Sequence, residues 1–324
     1  MKILIIGGAG MVGQKLARRL AEDGRLGNSE IDHLTLFDVV EPIVPAAQFP
    51  VAVQTGDLSD SVVAAGLVAD NPDIIFHLAA VVSGEAEADF EKGYRINLDG
   101  SRHLFDAICD IEGYCPRVVF TSSIAVFGAP FPEAIGDEFH STPLTSYGTQ
   151  KAISELLLSD FSRRGMMDGV GIRLPTICVR PGKPNKAASG FFSNIIREPL
   201  VGQEAVLPVE DDVRHWHASP RSAVGFLLHA ATIDSAEIGP RRNLTMPGIS
   251  VTVGEQIAAL KAIAGDAVVA RIRREPDQQI INMVAGWPRN FDATRALQLG
   301  FTAESSFEDI IRVHLDDELN GVIA

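Results

Sequence analysis

The stretch Lys2-Ile3-Leu4-Ile5-Ile6-Gly7-Gly8-Ala9-Gly10-Met11-Val12-Gly13 decides the fold of this chain. Its aliphatic start predicts a buried parallel strand, and apolar residues at helical spacing follow the glycines. A strand, a glycine turn and a helix in this order form a dinucleotide site. Gly7 permits the tight turn, Gly10 lets a pyrophosphate approach the helix N-terminus with Met11 and Val12 beside it, and Gly13 lets the helix pack against the strand.

The next predicted strand determines which dinucleotide is expected. His33–Phe37 forms an apolar segment that ends in Asp38, and no Arg follows nearby. A carboxylate at this position can hydrogen-bond both ribose hydroxyls of adenosine, and it repels a 2′-phosphate. The sequence therefore predicts NAD rather than NADP.

Further apolar segments predict strands whose carboxyl ends face the same cofactor. Asp73–Ala80 is predicted as the fourth strand, with Leu78, Ala79 and Ala80 close to the nicotinamide ribose. Gly171–Ile177 is predicted as the sixth, with Thr176 and Ile177 beside the nicotinamide.

Tyr147 and Lys151 form a Tyr-x-x-x-Lys pair, and residues four apart share one face of a helix. A free phenol has a pKa near ~10, and a nearby cation lowers it by favouring the phenolate. Tyr147 is therefore a candidate base for taking the proton of an alcohol while a hydride leaves the same carbon. The pair alone is weak evidence, but it follows a predicted strand that ends in Thr121, Ser122 and Ser123, where ligands bind in open α/β sheets.

Composition excludes several classes of partner and site. The chain has 324 residues with 28 basic and 42 acidic side chains, a net charge of −14 that opposes binding to nucleic acid or an anionic membrane. No apolar run approaches the ~18 residues of a membrane helix. The three cysteines lack metal or disulfide spacing, which predicts a cytoplasmic protein. His215-Trp216-His217 has no further ligand type nearby, so we expect no metal.

Strands and helices alternate up to about Pro175, after which prolines interrupt the pattern. This predicts an α/β protein with a Rossmann-type doubly wound parallel sheet and a smaller C-terminal substrate-binding lobe. The expected NAD-binding domain comprises residues 1–175 plus about 218–246. The expected lobe comprises about 176–217 plus 247–324.

These motifs together resemble the extended short-chain dehydrogenase/reductases, the NAD-dependent epimerase/dehydratase family. The resemblance implies that Ser123 positions the reacting oxygen, with Ser122 as the near alternative, and that Lys151 lowers the pKa of Tyr147 and contacts the nicotinamide ribose. It also implies that Asp57 and Leu58 bracket the adenine and that Asn97 supports the backbone of the cofactor site. Members commonly pair as homodimers through two helices, at about 88–109 and 147–164 here.

Within that family, four stretches resemble the D-erythronate dehydrogenases: Phe37–Pro42, His77–Phe90, Arg173–Phe192 and His215–Pro220. The implied reaction is NAD-dependent oxidation of the 2-hydroxyl of a four-carbon sugar acid. Arg214 corresponds to a phosphate-binding Arg of the epimerases, so it is a candidate partner for the substrate carboxylate. Rival anchors are Arg180, Lys183, Lys186 and Arg221, and candidate partners for substrate hydroxyls are Ser83 and Glu85.

Two alternatives remain open from the sequence. A nucleotide-sugar 4-epimerase or dehydratase would use the same Ser123, Tyr147 and Lys151 but retain its NAD. A regulator that only senses NAD would share the fold, although it has no need for a phenolate.

Overall fold

Seven parallel strands form the central sheet of the described chain, which comprises residues 1–182 and 189–324 of a computed structural model. In chain order they are β1 (Lys2–Ile6), β2 (His33–Asp38), β3 (Val51–Thr55), β4 (Ile74–His77), β5 (Arg117–Ser123), β6 (Asp168–Leu174) and β7 (Asn243–Thr245). They lie in the order β3-β2-β1-β4-β5-β6-β7. This confirms the predicted doubly wound sheet, whose strand order reverses between β1 and β4.

Helices cover both faces of this sheet, as the aliphatic run of β1 requires. Ile3 and Ile5 pack under the helices of one face, whereas Leu4 and Ile6 pack under those of the other. None of the helices in the described residues is long and apolar enough to cross a membrane. The first face carries α1 (Met11–Asp23) and α5 (Pro220–Thr232), and the second carries α2 (Ser61–Val68), α3 (Gly100–Cys109) and α4 (Ser146–Arg163).

A second apolar core holds a smaller lobe together. In its three-stranded sheet, Arg214–Ala218 lies between Thr176–Ile177 and Ile249–Thr252 and pairs with both. In its two-stranded sheet, Ala205–Leu207 pairs with Ile272–Arg274. Its helices are Gly190–Leu200, Val253–Ala264, Asp266–Val269, Gln278–Ala285 and Phe307–Leu319. The remaining short elements are Arg25–Leu26, Ser29–Glu30, Ser83–Ala88, Phe90–Gly93, the π-helical Tyr94–Asp99, the 3₁₀ turn Ile124–Val126, Ser235–Ile238 and Thr294–Gln298.

The structure differs from the sequence-based segments in two places. β6 ends at Leu174, and Thr176–Ile177 joins the sheet of the lobe instead. The break falls at Pro175, which has no N–H to donate to a strand ladder. In addition, Ala296 and Phe301 pack in the core beside α1 and α5, although the sequence-based division assigned all of 247–324 to the lobe.

Candidate active site

The glycine turn after β1 is shaped by close backbone contacts. Gly7 has a φ of +97°, which a side chain would strain, and the N–H groups of Gly7 and Gly8 donate to the Phe37 carbonyl at 2.8 and 2.9 Å. A Cβ on Gly13 would lie 2.1 Å from the Gly7 oxygen. No side chain caps α1, and no acidic residue lies in its first turn. The N-terminal N–H groups of α1 therefore suit a pyrophosphate.

Asp38 lies at the carboxyl end of β2, beside the glycine turn. Its carboxylate accepts hydrogen bonds from the N–H of Ala9 at 3.0 Å and from that of Val39 at 2.7 Å. The first of these bonds ties the carboxylate to the turn on which a dinucleotide would lie. This placement suits the ribose contact that the sequence predicts for Asp38.

A cavity of ≈ 430 Å³ extends from the glycine turn into the space beneath the lobe. Its walls include many of the predicted residues: Gly7, Gly10, Met11, Val12, Gly13, Leu78, Ala80, Ser83, Thr121, Ser123, Tyr147, Lys151, Thr176, Ile177 and Arg180. Such a crevice outside the carboxyl ends of β1 and β4 is where open α/β sheets bind their ligands. The turn, the helix start and the crevice together fit NAD.

Several predicted cofactor residues lie behind the cavity wall or outside it. Asn97 is buried and holds the backbone of Val81, accepting from its N–H at 2.8 Å and donating to its carbonyl at 3.2 Å. Its role is therefore to position the wall. Asp57 pairs with Arg95, Leu58 is buried in the core under α2 and α3, and Ala79 packs against the glycine turn.

Folding brings Ser123, Tyr147 and Lys151 into one wall of the cavity. Tyr147 lies in the first turn of α4, and Lys151 follows one turn later. The Lys151 ammonium donates to the Thr121 carbonyl at 2.8 Å and lies 5.8 Å from the centre of the Tyr147 ring. Ser122 donates to Glu155 at 2.5 Å, so its hydroxyl is already engaged. Ser123 is therefore the better candidate of the two serines.

The pKa values of this group follow from its burial. Burial raises the pKa of Tyr147 to about 12, while the charge of Arg180 and a hydrogen bond with Ser123 act in the opposite direction. Burial also lowers the pKa of Lys151 to about 7, and the charge of Glu155 partly offsets this. Arg180 is the cation that acts to lower the pKa of Tyr147 here. The same effect of Lys151 stays a prediction.

A buried ion pair lies behind the cavity wall that Ser123, Tyr147 and Lys151 form. The Arg173 guanidinium on β6 donates to both carboxylate oxygens of Glu155, at 2.9 and 2.7 Å. Both side chains are almost completely buried, and the same carboxylate accepts from Ser122. Removing one partner would leave a buried charge, so this pair fixes the position of α4 against β5 and β6.

Among the predicted anion anchors, the structure distinguishes Arg180 from Arg214. Arg180 lines the cavity, and its guanidinium is held by the Ile177 carbonyl at 2.9 Å and the Ser189 hydroxyl at 3.1 Å. Arg214 lies outside the cavity wall, where it pairs with Glu255 at 3.1 Å, so Arg180 is the better placed of the two to bind a substrate. Arg221 pairs with Asp317.

Two other predictions for the substrate side have different outcomes. Ser83 lines the cavity at the start of the short helix that follows β4, whereas Glu85 pairs with Lys92 at 2.6 Å. Lys183 and Lys186 lie outside the described residues.

The sequence reasoning missed several residues that complete the cavity. His215 lines it and bonds through its two ring nitrogens to the Thr176 hydroxyl at 2.7 Å and the Pro288 carbonyl at 2.9 Å. Trp287 and Pro288 come from a segment with no local motif, and Asn194 comes from the helix Gly190–Leu200. Only the pairing of Thr176–Ile177 with Arg214–Ala218, the strand that carries His215, could have suggested the first of these contacts.

A family comparison decides where this fold and site belong. Residues 3–231 match the model of the NAD dependent epimerase/dehydratase family. The chain belongs to this family. NAD is the cofactor that the description of this family names, in agreement with the fit of the glycine turn and the cavity.

Three relatives within the family extend over nearly the whole chain. The chain is 48% identical over 321 residues to a D-erythronate dehydrogenase of Cupriavidus necator, covering 98% of each sequence. It is 42% identical to a D-erythronate dehydrogenase of Haemophilus influenzae, covering 98% of this chain and 100% of the relative. A crystal structure described as a nucleoside-diphosphate-sugar epimerase from Agrobacterium tumefaciens is 66% identical, with a TM-score of 0.97 and coverage of 100% and 96%.

Proposed function

We propose that this protein is a D-erythronate dehydrogenase, which oxidises the 2-hydroxyl of D-erythronate to give 2-oxo-D-erythronate with NAD as acceptor. The observation that carries the proposal is the full-length similarity to two curated D-erythronate dehydrogenases. A small anionic substrate also agrees with a cavity in which Arg180 lies beside the predicted base.

The site residues suit this substrate as follows. Arg180 would bind the carboxylate, because its planar guanidinium matches two carboxylate oxygens and it forms no ion pair with the described carboxylates. Tyr147 and Ser123 would bind the 2-hydroxyl. Arg180 is close enough to Tyr147 to favour its phenolate, so carboxylate and 2-hydroxyl would occupy neighbouring positions, as they do in a 2-hydroxy acid.

The chemistry then requires one proton transfer from the substrate. Tyr147 would first lose its own proton to solvent, a loss that the charge of Arg180 favours. Its phenolate oxygen would then accept the proton of the 2-hydroxyl, and Ser123 would donate a hydrogen bond to the oxygen left behind. Bound NAD would supply the hydride acceptor for the hydrogen of C2. Lys151 would hold its place beside the cofactor through the Thr121 carbonyl.

A substrate panel with NAD tests the proposal. NADH formation is measured with D-erythronate, with its C2 and C3 epimers and with UDP-glucose, and UDP-sugar products are analysed separately. We expect NADH formation from D-erythronate with the highest kcat/KM of the panel. Inversion of UDP-glucose without net NADH would instead establish an epimerase, the activity in the name of the Agrobacterium tumefaciens relative.

The proposal also includes a homodimer in the cytoplasm. The predicted pairing helices correspond to 90–109 and α4. Leu156 on α4 is 72% exposed, and an interface would cover it. Light scattering should give twice the monomer mass for the unmodified protein and the mass of a single monomer for Leu156→Asp. The free Cys109, Cys115 and Cys178 suit a reducing compartment.

A further inference from the structure

A chain of two hydrogen bonds crosses one side of the cavity. The Thr176 hydroxyl lies 2.7 Å from Nε2 of His215, and Nδ1 of His215 lies 2.9 Å from the Pro288 carbonyl oxygen. All three residues line the cavity, but they come from three separate segments. The bonds therefore connect the strand beside the cofactor crevice to the segment that closes the cavity on the lobe side.

The direction of each bond follows from the chemistry of its atoms. The Pro288 carbonyl can only accept, so Nδ1 of His215 must carry the proton. Burial lowers the pKa of His215 to about 4, so the ring is neutral at physiological pH and Nε2 has a lone pair but no proton. Nε2 must then accept a hydrogen bond from the Thr176 hydroxyl, whose only proton is used in this bond. The Thr176 oxygen is left able to accept hydrogen bonds but not to donate one.

Packing prevents the imidazole from reversing this arrangement. The His215 ring stacks on Phe192 with centres 5.2 Å apart and planes 4° apart, and Trp287 lies 5.3 Å away on another side. His215 is 3% exposed. A ring flip would break both hydrogen bonds and leave the buried Pro288 carbonyl and the imidazole nitrogens without partners, and each unpaired buried group would destabilise the protein.

We propose that Thr176, with its hydrogen-bonding direction set by His215, is a specificity residue that accepts a hydrogen bond from a substrate hydroxyl beyond the reacting carbon. The inference rests on the proposed function and adds a second recognition point to Arg180. The Thr176 segment neighbours Arg180, whose guanidinium donates to the Ile177 carbonyl at 2.9 Å. An acceptor beside the carboxylate anchor selects polyhydroxy acids over acids that lack the hydroxyl, because an unpaired acceptor in a closed site costs binding energy.

Deoxy analogues test this directly. The kcat/KM of D-erythronate is compared with those of its 3-deoxy and 4-deoxy analogues, which have the same configuration at C2. We expect the protein to prefer D-erythronate over one of the two by about 5- to 150-fold, the range set by an unsatisfied hydrogen-bonding group. Thr176→Val keeps the shape and removes the acceptor, so it should reduce that preference to about threefold or less by lowering only the D-erythronate value. Thr176→Ser is the matched control and should retain the preference.

The Kd of NAD, measured by calorimetry, separates a substrate contact from a cofactor contact. It should be unchanged in Thr176→Val. A weaker NAD complex, or an equal loss of kcat/KM for all three acids, would assign Thr176 to the cofactor or to the structure and overturn the inference.

A spectroscopic measurement tests the hydrogen-bond chain without any substrate. The ¹⁵N resonances of His215 should show a neutral ring with its proton on Nδ1 between pH 6 and 8, both in the protein and in Thr176→Ser. A proton on Nε2 would make Thr176 a donor and refute the inference. If none of the acids is oxidised while the Nδ1 tautomer is found, the proposed function fails and the specificity role fails with it, but the hydrogen-bond chain stands.

Discussion

Gly13→Ala is the sharpest test of the cofactor site, because it adds a single methyl group. The new Cβ would lie 2.1 Å from the Gly7 oxygen and 3.0 Å from two further backbone atoms, whereas ordinary contact begins at 3.4 Å. Backbone cannot rotate away as a flexible side chain can. The start of α1 and the turn at Gly7 must therefore separate by about an ångström.

The size of the effect follows from two opposing terms. Alanine is favoured over glycine inside a helix by about 1 kcal/mol, whereas overpacking a tight contact costs about 1–3 kcal/mol. The protein should therefore lose up to about 2 kcal/mol of stability. A displacement of an ångström also takes an N–H out of hydrogen-bonding range of a pyrophosphate. One such bond to a charged group is worth about 1.5–3 kcal/mol, so the Kd of NAD should rise about 10- to 150-fold.

Gly66→Ala provides a matched control, since Gly66 lies in α2 and a Cβ added there would have no atom from elsewhere in the described chain within 4 Å. Helix propensity alone should then stabilise the protein by about 1 kcal/mol and leave NAD binding unchanged. Urea unfolding gives the free energies of unfolding, and calorimetry gives the Kd of NAD. Gly13→Ala with the NAD affinity of the unmodified protein would refute the assignment of this turn to the pyrophosphate.

Three further predictions concern the candidate active site. Tyr147→Phe should keep NAD affinity but lower kcat by at least the ~10²–10⁴-fold of general acid–base catalysis, and near-normal kcat would show that another group is the base. Arg180→Gln should raise the KM for D-erythronate more than it lowers kcat. Arg214 lies outside the cavity, so Arg214→Gln should change neither constant. The opposite result would make Arg214 the residue that binds the carboxylate. Burial lowers the pKa of Lys151 from 10.5 to about 7. Between these pH values the unfolded chain therefore binds more protons than the folded protein. The free energy of unfolding then rises with pH, by at most about 1.4 kcal/mol per pH unit. Lys151→Met should flatten this rise in urea-unfolding free energies, and an unchanged slope would show that Lys151 is charged when folded.

Local sequence patterns were enough to predict the sheet and the proximity of Tyr147 to Lys151. The run Ile3–Ile6 is aliphatic at every position because helices cover both faces of β1. Two of the glycines after it lie so close to other backbone atoms that a side chain would not fit there. Tyr147 and Lys151 lie one helical turn apart, so their proximity needed no tertiary information. Cofactor type followed in the same way from Asp38 at the end of β2.

The substrate side depended on the tertiary structure. The sequence offered several cations as candidates for binding the substrate carboxylate. Only the packing of the folded chain shows that Arg180 lines the cavity and that Arg214 pairs with Glu255. His215 bonds to a carbonyl 73 residues away, and no local pattern marks Pro288 as its partner. A glycine turn or a helix pair is determined by residues adjacent in the chain, which local sequence records. A substrate pocket is formed by side chains from distant segments, and burial together with competition among possible partners decides which of them remain available to a ligand.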